Sequence, residues 1–139
     1  ASLVGSEMCI RDRQKAWGNS YELRQLRHSG FSGTNKEKHS RERSMAESEQ
    51  SMYTKLISLD GQVKTAKTAC LAARSAMAAA ELDFKAAEHK WQLGMINRQD
   101  YLKAKVAYTD ARAESGKAEI SLLGALNRYD WAVRGLILE

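Results

Sequence analysis

The chain has 139 residues, 22 Lys and Arg against 17 Asp and Glu, nine Gly, no Pro, and 43% hydrophobic but only 7% aromatic residues, which fits one small domain or a piece of something larger. A mean hydropathy of −0.54 and no apolar run longer than Ala76–Ala80 exclude a membrane-spanning helix, which needs about 20 apolar residues. The missing Pro and the 17 Ala between Ser51 and Glu139 argue for long helices over a turn-rich β-sandwich, and the net charge of +5, divided as 0 over 1–13, +2 over 14–50 and +3 over 51–139, gathers into no basic patch of the kind a nucleic-acid partner requires.

Residues 2–13 read Ser-Leu-Val-Gly-Ser-Glu-Met-Cys-Ile-Arg-Asp-Arg. They resemble the translation of a transposase-type sequencing adapter, in which ATG TGT ATA AGA GAC AG gives Met8 to Arg13. On that reading residues 1–13 are an artefact to be set aside before the fold is considered, and the start of the gene product, with any targeting signal, lies outside this chain. A signal peptide is a poorer reading, because Gly5, Ser6 and Glu7 interrupt the apolar stretch and no basic segment precedes it. Setting the segment aside removes Cys9 and leaves Cys70 alone, which makes neither an intramolecular disulfide nor a zinc site. Cys70 lies among alanines at a helical core spacing, where it is expected to pack as a small apolar residue.

Residues 14–44 are rich in Ser, Gly, Lys, Arg and Glu. Gly30 and Gly33 interrupt any helix there, so the stretch reads as an unassigned junction, mostly irregular, with at most a short helix over Tyr21–Arg27. From residue 45 onward the pattern becomes helical. Met52, Leu56, Leu59, Val63, Ala66, Cys70, Ala73, Met77, Ala80, Phe84, Ala87 and Trp91 follow one another at alternating steps of four and three. Tyr101, Ala104, Tyr108, Ala111, Ser115, Ala118, Leu122, Ala125, Tyr129, Ala132 and Leu136 do the same. A 3.5-residue period held over roughly five heptads in each arm predicts a coiled-coil seam, and at 1.5 Å per residue each arm is roughly 55–65 Å long. The fold expected is all-α, a long antiparallel coiled-coil hairpin, with helices over about 45–93 and 98–136 and a turn at 94–97.

A second stripe runs beside the seam: Ala69, Ala72, Ala76, Ala79 and Ala86 in the first arm, and Leu102, Val106, Thr109, Ala113, Gly116, Ile120 and Leu123 in the second. Helices with two apolar stripes pack on two neighbours, either in an ordinary Ala-rich bundle or in a closed ring of helices.

Between the arms, Gly94 is suited to the left-handed conformation that ends a helix. Asn97 fits the N-cap of the next helix, Asp100 its third position near the positive helix end, and Ile96 with Tyr101 the spacing of a hydrophobic staple. Leu93, Met95 and Ile96 gather at this turn with no core of their own to enter, so they either form a docking tip or only staple the turn. No catalytic, cofactor or metal site is expected. His28, His39 and His89 are scattered, no phosphate loop, nucleophile elbow or Cys/His pair is present, and Glu81, Asp83 and Glu88 read as solvated positions beside Lys85 and Lys90.

The stretch Lys90-Trp91-Gln92-Leu93-Gly94-Met95-Ile96-Asn97-Arg98-Gln99-Asp100-Tyr101-Leu102-Lys103-Ala104 resembles the Arg-Tyr-x-x-Gly-x-x-(Ser/Thr)-x-x-(Asp/Glu)-(hydrophobic)-Leu-x-Ala turn of the outer-membrane efflux protein family typified by TolC. The Ala-rich arm before it and Leu122–Arg134 after it are similar to the family's C-terminal repeat, and the resemblance covers about two thirds of the chain. It implies that residues 45–139 are one helical hairpin of an α-barrel built by a homotrimer. Such a subunit is a passive exit duct in tripartite efflux or type I secretion, in the outer membrane and periplasm, and not an enzyme. Leu93, Gly94, Met95 and Ile96 would then be the tip that docks a periplasmic adaptor protein, supported by Trp91, Asn97, Asp100 and Tyr101. Lys90 and Trp91 stand where the family has Arg and Tyr, and neither a first repeat nor an alternating strand pair for a β-barrel is found, so membrane contact would come only through other parts of the protein. The competing readings are the hairpin of an adaptor protein itself, which would be flanked by β-rich lipoyl-like halves, and an unrelated structural coiled coil, which would show a single seam with charged flanks.

Overall fold

The computed structural model describes residues 2–28 and 33–136, with side chains described from Ile10 onward; Gly30, expected to break a helix, lies outside the described residues. Four helices follow in chain order: α1 (Ser2–Asn19), α2 (Tyr21–His28), α3 (Asn35–Gln92) and α4 (Arg98–Val133). All regular structure among the described residues is helical, and none of these helices is long and apolar enough to cross a membrane. The chain divides into two compact units, one made of Ala1–Gln62 with Ala125–Glu139, the other of Val63–Gly124.

The Val63–Gly124 unit holds the turn and the arms that flank it. Phe84 packs against Tyr101 and Tyr108, with ring centroids 5.9 and 5.6 Å away, and Trp91 stacks on Tyr101 at 5.7 Å. Arg74 Nε donates to Glu119 Oε1 at 2.9 Å. Trp91 with Tyr101, Phe84 with Tyr108 and Arg74 with Glu119 each lie nearly symmetrically about Ile96, which is the register of an antiparallel pair. The seam read from the sequence is the face that α3 and α4 turn toward each other. Cys70 and Ser115 are buried, the other seam residues from Val63 to Ala87 and from Tyr101 to Leu122 are half-buried, and Trp91 alone is more open. Alanine at alternate seam positions keeps the backbones close, so little area is buried per residue and the aromatic ladder near the turn supplies the bulk.

Charge borders this seam, continuously along one side. Arg74 and Glu119 both occupy the position that follows the seam, and Glu81 with Arg112 and Glu88 with Lys105 repeat that opposition at the same register nearer the turn. Charges beside an apolar seam select partner and alignment. The other flank alternates, with Ala69, Ala76, Ala107 and Ser121 interleaved with Asp83, Lys90, Asp100 and Glu114, so charge is continuous along one side of the seam and intermittent along the other.

In the other unit, Ala16 and Leu23 are buried with Met52, Leu56 and Ala132, and Leu59 and Val133 pack against them. Trp17 Nε1 donates to Glu49 at 2.7 Å, and the Tyr129 hydroxyl donates to Asp12 at 2.9 Å. The Arg13 guanidinium lies 4.7 Å from the centre of the Tyr53 ring. Asp12 and Arg13 belong to the segment read as adapter-derived. Its helical form is what a Pro-free chain supports and carries no information on its coding origin.

Two boundaries and one segment differ from those expected. The first arm begins at Asn35, ten residues before the predicted 45, because Glu37 reaches back to cap Thr34, one half of a capping box. Glu37 Oε2 accepts the Thr34 backbone N–H at 2.7 Å and its hydroxyl at 3.0 Å, and Lys38 N–H donates to Thr34 O at 3.0 Å. This Thr-x-x-Glu signal is present in the sequence but is masked by the low apolar content around it. Residues 14–44, expected to be mostly irregular, hold the end of α1 and the start of α3 as well as α2, which lies where a short helix over Tyr21–Arg27 was expected. The second arm stops at Val133, not 136. Gly135, at φ +91°, closes it with bonds from Gly135 N–H to Ala132 O and from Leu136 N–H to Trp131 O, the paired bonds of a Schellman motif.

Candidate docking tip of the hairpin

The turn is built by two caps placed back to back. Gly94 sits at φ +70°; its N–H donates to Trp91 O at 2.9 Å, and Met95 N–H donates to Lys90 O at 2.8 Å. This is again the Schellman pairing, and it satisfies the carbonyls that the end of α3 would leave open. Two residues later Asn97 Oδ1 accepts Asp100 N–H at 2.8 Å, and Asn97 O accepts Tyr101 N–H at 3.2 Å. Asn97 is thus the N-cap of α4, and Asp100 lies in its first turn, where a carboxylate faces the helix's positive end. Gly94, Asn97 and Asp100 occupy the positions expected of them.

The tip residues separate into two sets. Tyr101 is half-buried under the Trp91 ring and against Phe84, and Ile96 is half-buried. Leu93 and Met95 remain 75% and 70% exposed, and Trp91 40%. The reason lies in the cap. A Schellman motif usually shelters the residue after its glycine against the one five positions before it, and here those two are Met95 and Lys90, which offers Met95 only an aliphatic stem. Across the turn, Trp91 stacks on Tyr101, the residue with which Ile96 was expected to staple. A sequence scan for aromatic residues equidistant from Ile96 finds that pair.

Around the apolar tip, Lys103 lies 3.9 Å from Asp100 and Lys85 2.7 Å from Glu81. The Lys85 ammonium is held above its usual range by its hydrogen bond to Glu81 and the charge behind it; Arg74 is shifted upward in the same way by Glu119. These pairs are solvent-exposed and organise the surface without creating a reactive group. Among the described residues no three His, Cys, Asp or Glu side chains converge as a metal site. What the arrangement offers is a rigidly capped turn that presents Leu93, Met95 and part of Trp91 outward.

No protein-family model matches the chain, and neither a curated protein nor a solved structure matches it.

Proposed function

We propose that residues 45–139 are the C-terminal helical hairpin of a TolC-like outer-membrane channel subunit, a passive exit duct of a tripartite efflux or type I secretion system. The observation that carries the reading is the combination at the turn: a Gly94 cap and Asn97 cap hold Leu93 and Met95 out of the hairpin's own core. A turn that served only to reverse the chain has no use for two large apolar side chains in solvent.

Helix geometry supports the rest. At 100° per residue in opposing directions, the alanine stripe of α3 and the Leu102–Leu123 stripe of α4 face opposite sides of the hairpin. A unit with small residues on one side and large apolar residues on the other suits a head-to-tail ring of helices, as in a homotrimer. The subunit would catalyse nothing. Its partner would be a periplasmic adaptor docked at Leu93, Gly94, Met95 and Ile96, and its place the outer membrane and periplasm.

Sequencing the gene upstream tests the assignment. A signal sequence followed by a second Gly-turn hairpin supports the channel; paired lipoyl-like halves overturn it in favour of an adaptor protein. Docking is tested with Leu93→Asp combined with Met95→Asp, against the adaptor encoded with the full gene. Both side chains are exposed, so helix content should stay unchanged while adaptor binding falls at least tenfold. Unchanged binding would remove the docking role.

A further inference from the structure

We infer that the outer face of α4 is where two copies of this chain pair, antiparallel and about a two-fold axis at Ala113. This concerns the free chain in solution and stands apart from the channel reading.

Leu102, Val106, Ile120 and Leu123 are 44%, 58%, 72% and 61% exposed. With Thr109, Ala113 and Gly116 between them, they recur at steps of four and three through the whole run. That is a second heptad seam on the same helix, turned away from α3, and such a seam specifies a partner helix. Its flanks identify the occupant. Lys103, Asp110 and Lys117 lie along one side and Lys105, Arg112 and Glu119 along the other.

When two copies of α4 are laid antiparallel with Ala113 opposite Ala113, Leu102 meets Leu123 and Val106 meets Ile120, while the small Thr109 and Gly116 meet near the axis. In the same register Asp110 faces Lys117 and Lys105 faces Glu119. The two-fold axis makes each pairing occur twice, against one Arg112–Arg112 approach. Sliding the copies one heptad toward the turn places Lys103 against Lys117, Lys105 against Arg112 and Asp110 against itself. Sliding one heptad the other way brings Arg112 against Glu119, but it leaves Lys117 against itself and abandons Leu102 and Val106. Of these three registers, the one centred on Ala113 joins the most opposite charges to the fullest apolar overlap, and this self-complementarity points to a second copy of this chain as the partner. Glu119, already bonded to Arg74, lies between the two seams and can accept on its other oxygen. The stripe exposes roughly 550 Å² per copy, so pairing removes about 1,100 Å², at the low end for a specific interface. Interfaces of that size are weak and transient ones, which sets the concentrations to be searched at micromolar and above.

Sedimentation of the full chain from about 5 to 200 µM should show a monomer–dimer equilibrium. Ile120→Asp should abolish the dimer with helix content retained by circular dichroism. Asp110→Lys should weaken it about tenfold, and adding Lys117→Asp should restore it. Geometry is read by cross-linking in a Cys9→Ser, Cys70→Ala background, which does not depend on the Asp variant folding. Ala113→Cys should form a disulfide-linked dimer. Leu102→Cys should not link to itself but should link to Leu123→Cys when the two are mixed. A chain that stays monomeric at the highest concentration, a species larger than a dimer, or self-linking by Leu102→Cys would each overturn the inference.

Discussion

Gly94 offers the sharpest test of how the turn is held. Its φ of +70° belongs to the left-handed region, where an L side chain costs roughly 1–2 kcal/mol because Cβ crowds the following carbonyl. A Cβ built on Gly94 meets nothing within 4 Å, so the whole cost of Gly94→Ala is backbone strain and none of it is collision. For a chain of this length that is a fall in melting temperature of about 3–8 °C. Gly94→Asn should cost less, since asparagine tolerates this conformation. D-alanine at position 94 reverses the sign: its Cβ points away from the carbonyl and it narrows the unfolded ensemble, raising stability by about 0.4–1 kcal/mol. The chain can be assembled by ligation at Ala69–Cys70, which places position 94 in a synthetic segment of manageable length. Thermal unfolding by circular dichroism at fixed concentration then gives the three values. Equal effects of L- and D-alanine would refute the reasoning, because a loss caused by bulk or by a missing contact is blind to chirality.

Other outcomes follow from single contacts. Asn97→Ala should destabilise the hairpin by about 1 kcal/mol, with Asn97→Asp close to neutral, in urea denaturation. A double-mutant cycle on Arg74 and Glu119 should return only the weak coupling of a solvent-exposed pair, since both side chains are about half exposed; a coupling as strong as that of a buried pair would mean the two fix the register on their own. Glu37 has its carboxyl pKa lowered by the Thr34 backbone and hydroxyl hydrogen bonds. A depressed folded pKa stabilises at pH above the unfolded carboxylate value, and that contribution disappears as pH falls through the folded one. Hydrogen exchange at Lys36–Lys38 should therefore accelerate in acid, relative to the intrinsic rate, and Glu37→Gln should remove that pH dependence.

The long arms were legible because their evidence is periodic. From Met52 to Ala87 and from Tyr101 to Ala132 every seam position is buried or half-buried, and a phase maintained over that many turns is hard to mimic by chance. The caps were legible where their residues have one main use, as with Gly94 and Asn97. Both outer boundaries were missed for a different reason. Thr34–Glu37 and Gly135 act through one or two hydrogen bonds each, and in a polar or terminal stretch no hydrophobic pattern draws attention to them. Leu136 shows the hazard from the other side: it continues the heptad spacing, yet it lies beyond the glycine that ends α4 and is 54% exposed.

The tip and the outer seam of α4 pose one physical question, which is why a chain with so few large apolar residues leaves several of them in water. Near the turn, Trp91, Phe84, Tyr101 and Tyr108 fill the space between the helices, so neither Leu93 nor Met95 is needed there. Farther along, alanines bring the backbones close enough that Val106 and Ile120 have no route inward. Hydrophobicity at both places is surplus to the hairpin's own folding. Surplus apolar surface is a liability in an isolated chain and is expected where another surface covers it. The two places differ in what they ask of that surface. The tip, capped at both ends and only a few residues wide, suits a small complementary pocket on another protein. The seam, seven positions long and bordered by self-complementary charge, is matched in the free chain by its own copy, where the channel reading gives it a neighbouring helix of the ring. Separating Leu93 and Met95 substitutions from Ile120 substitutions should therefore divide binding to other proteins from self-association, and a single substitution that removed both would mean the two surfaces are one.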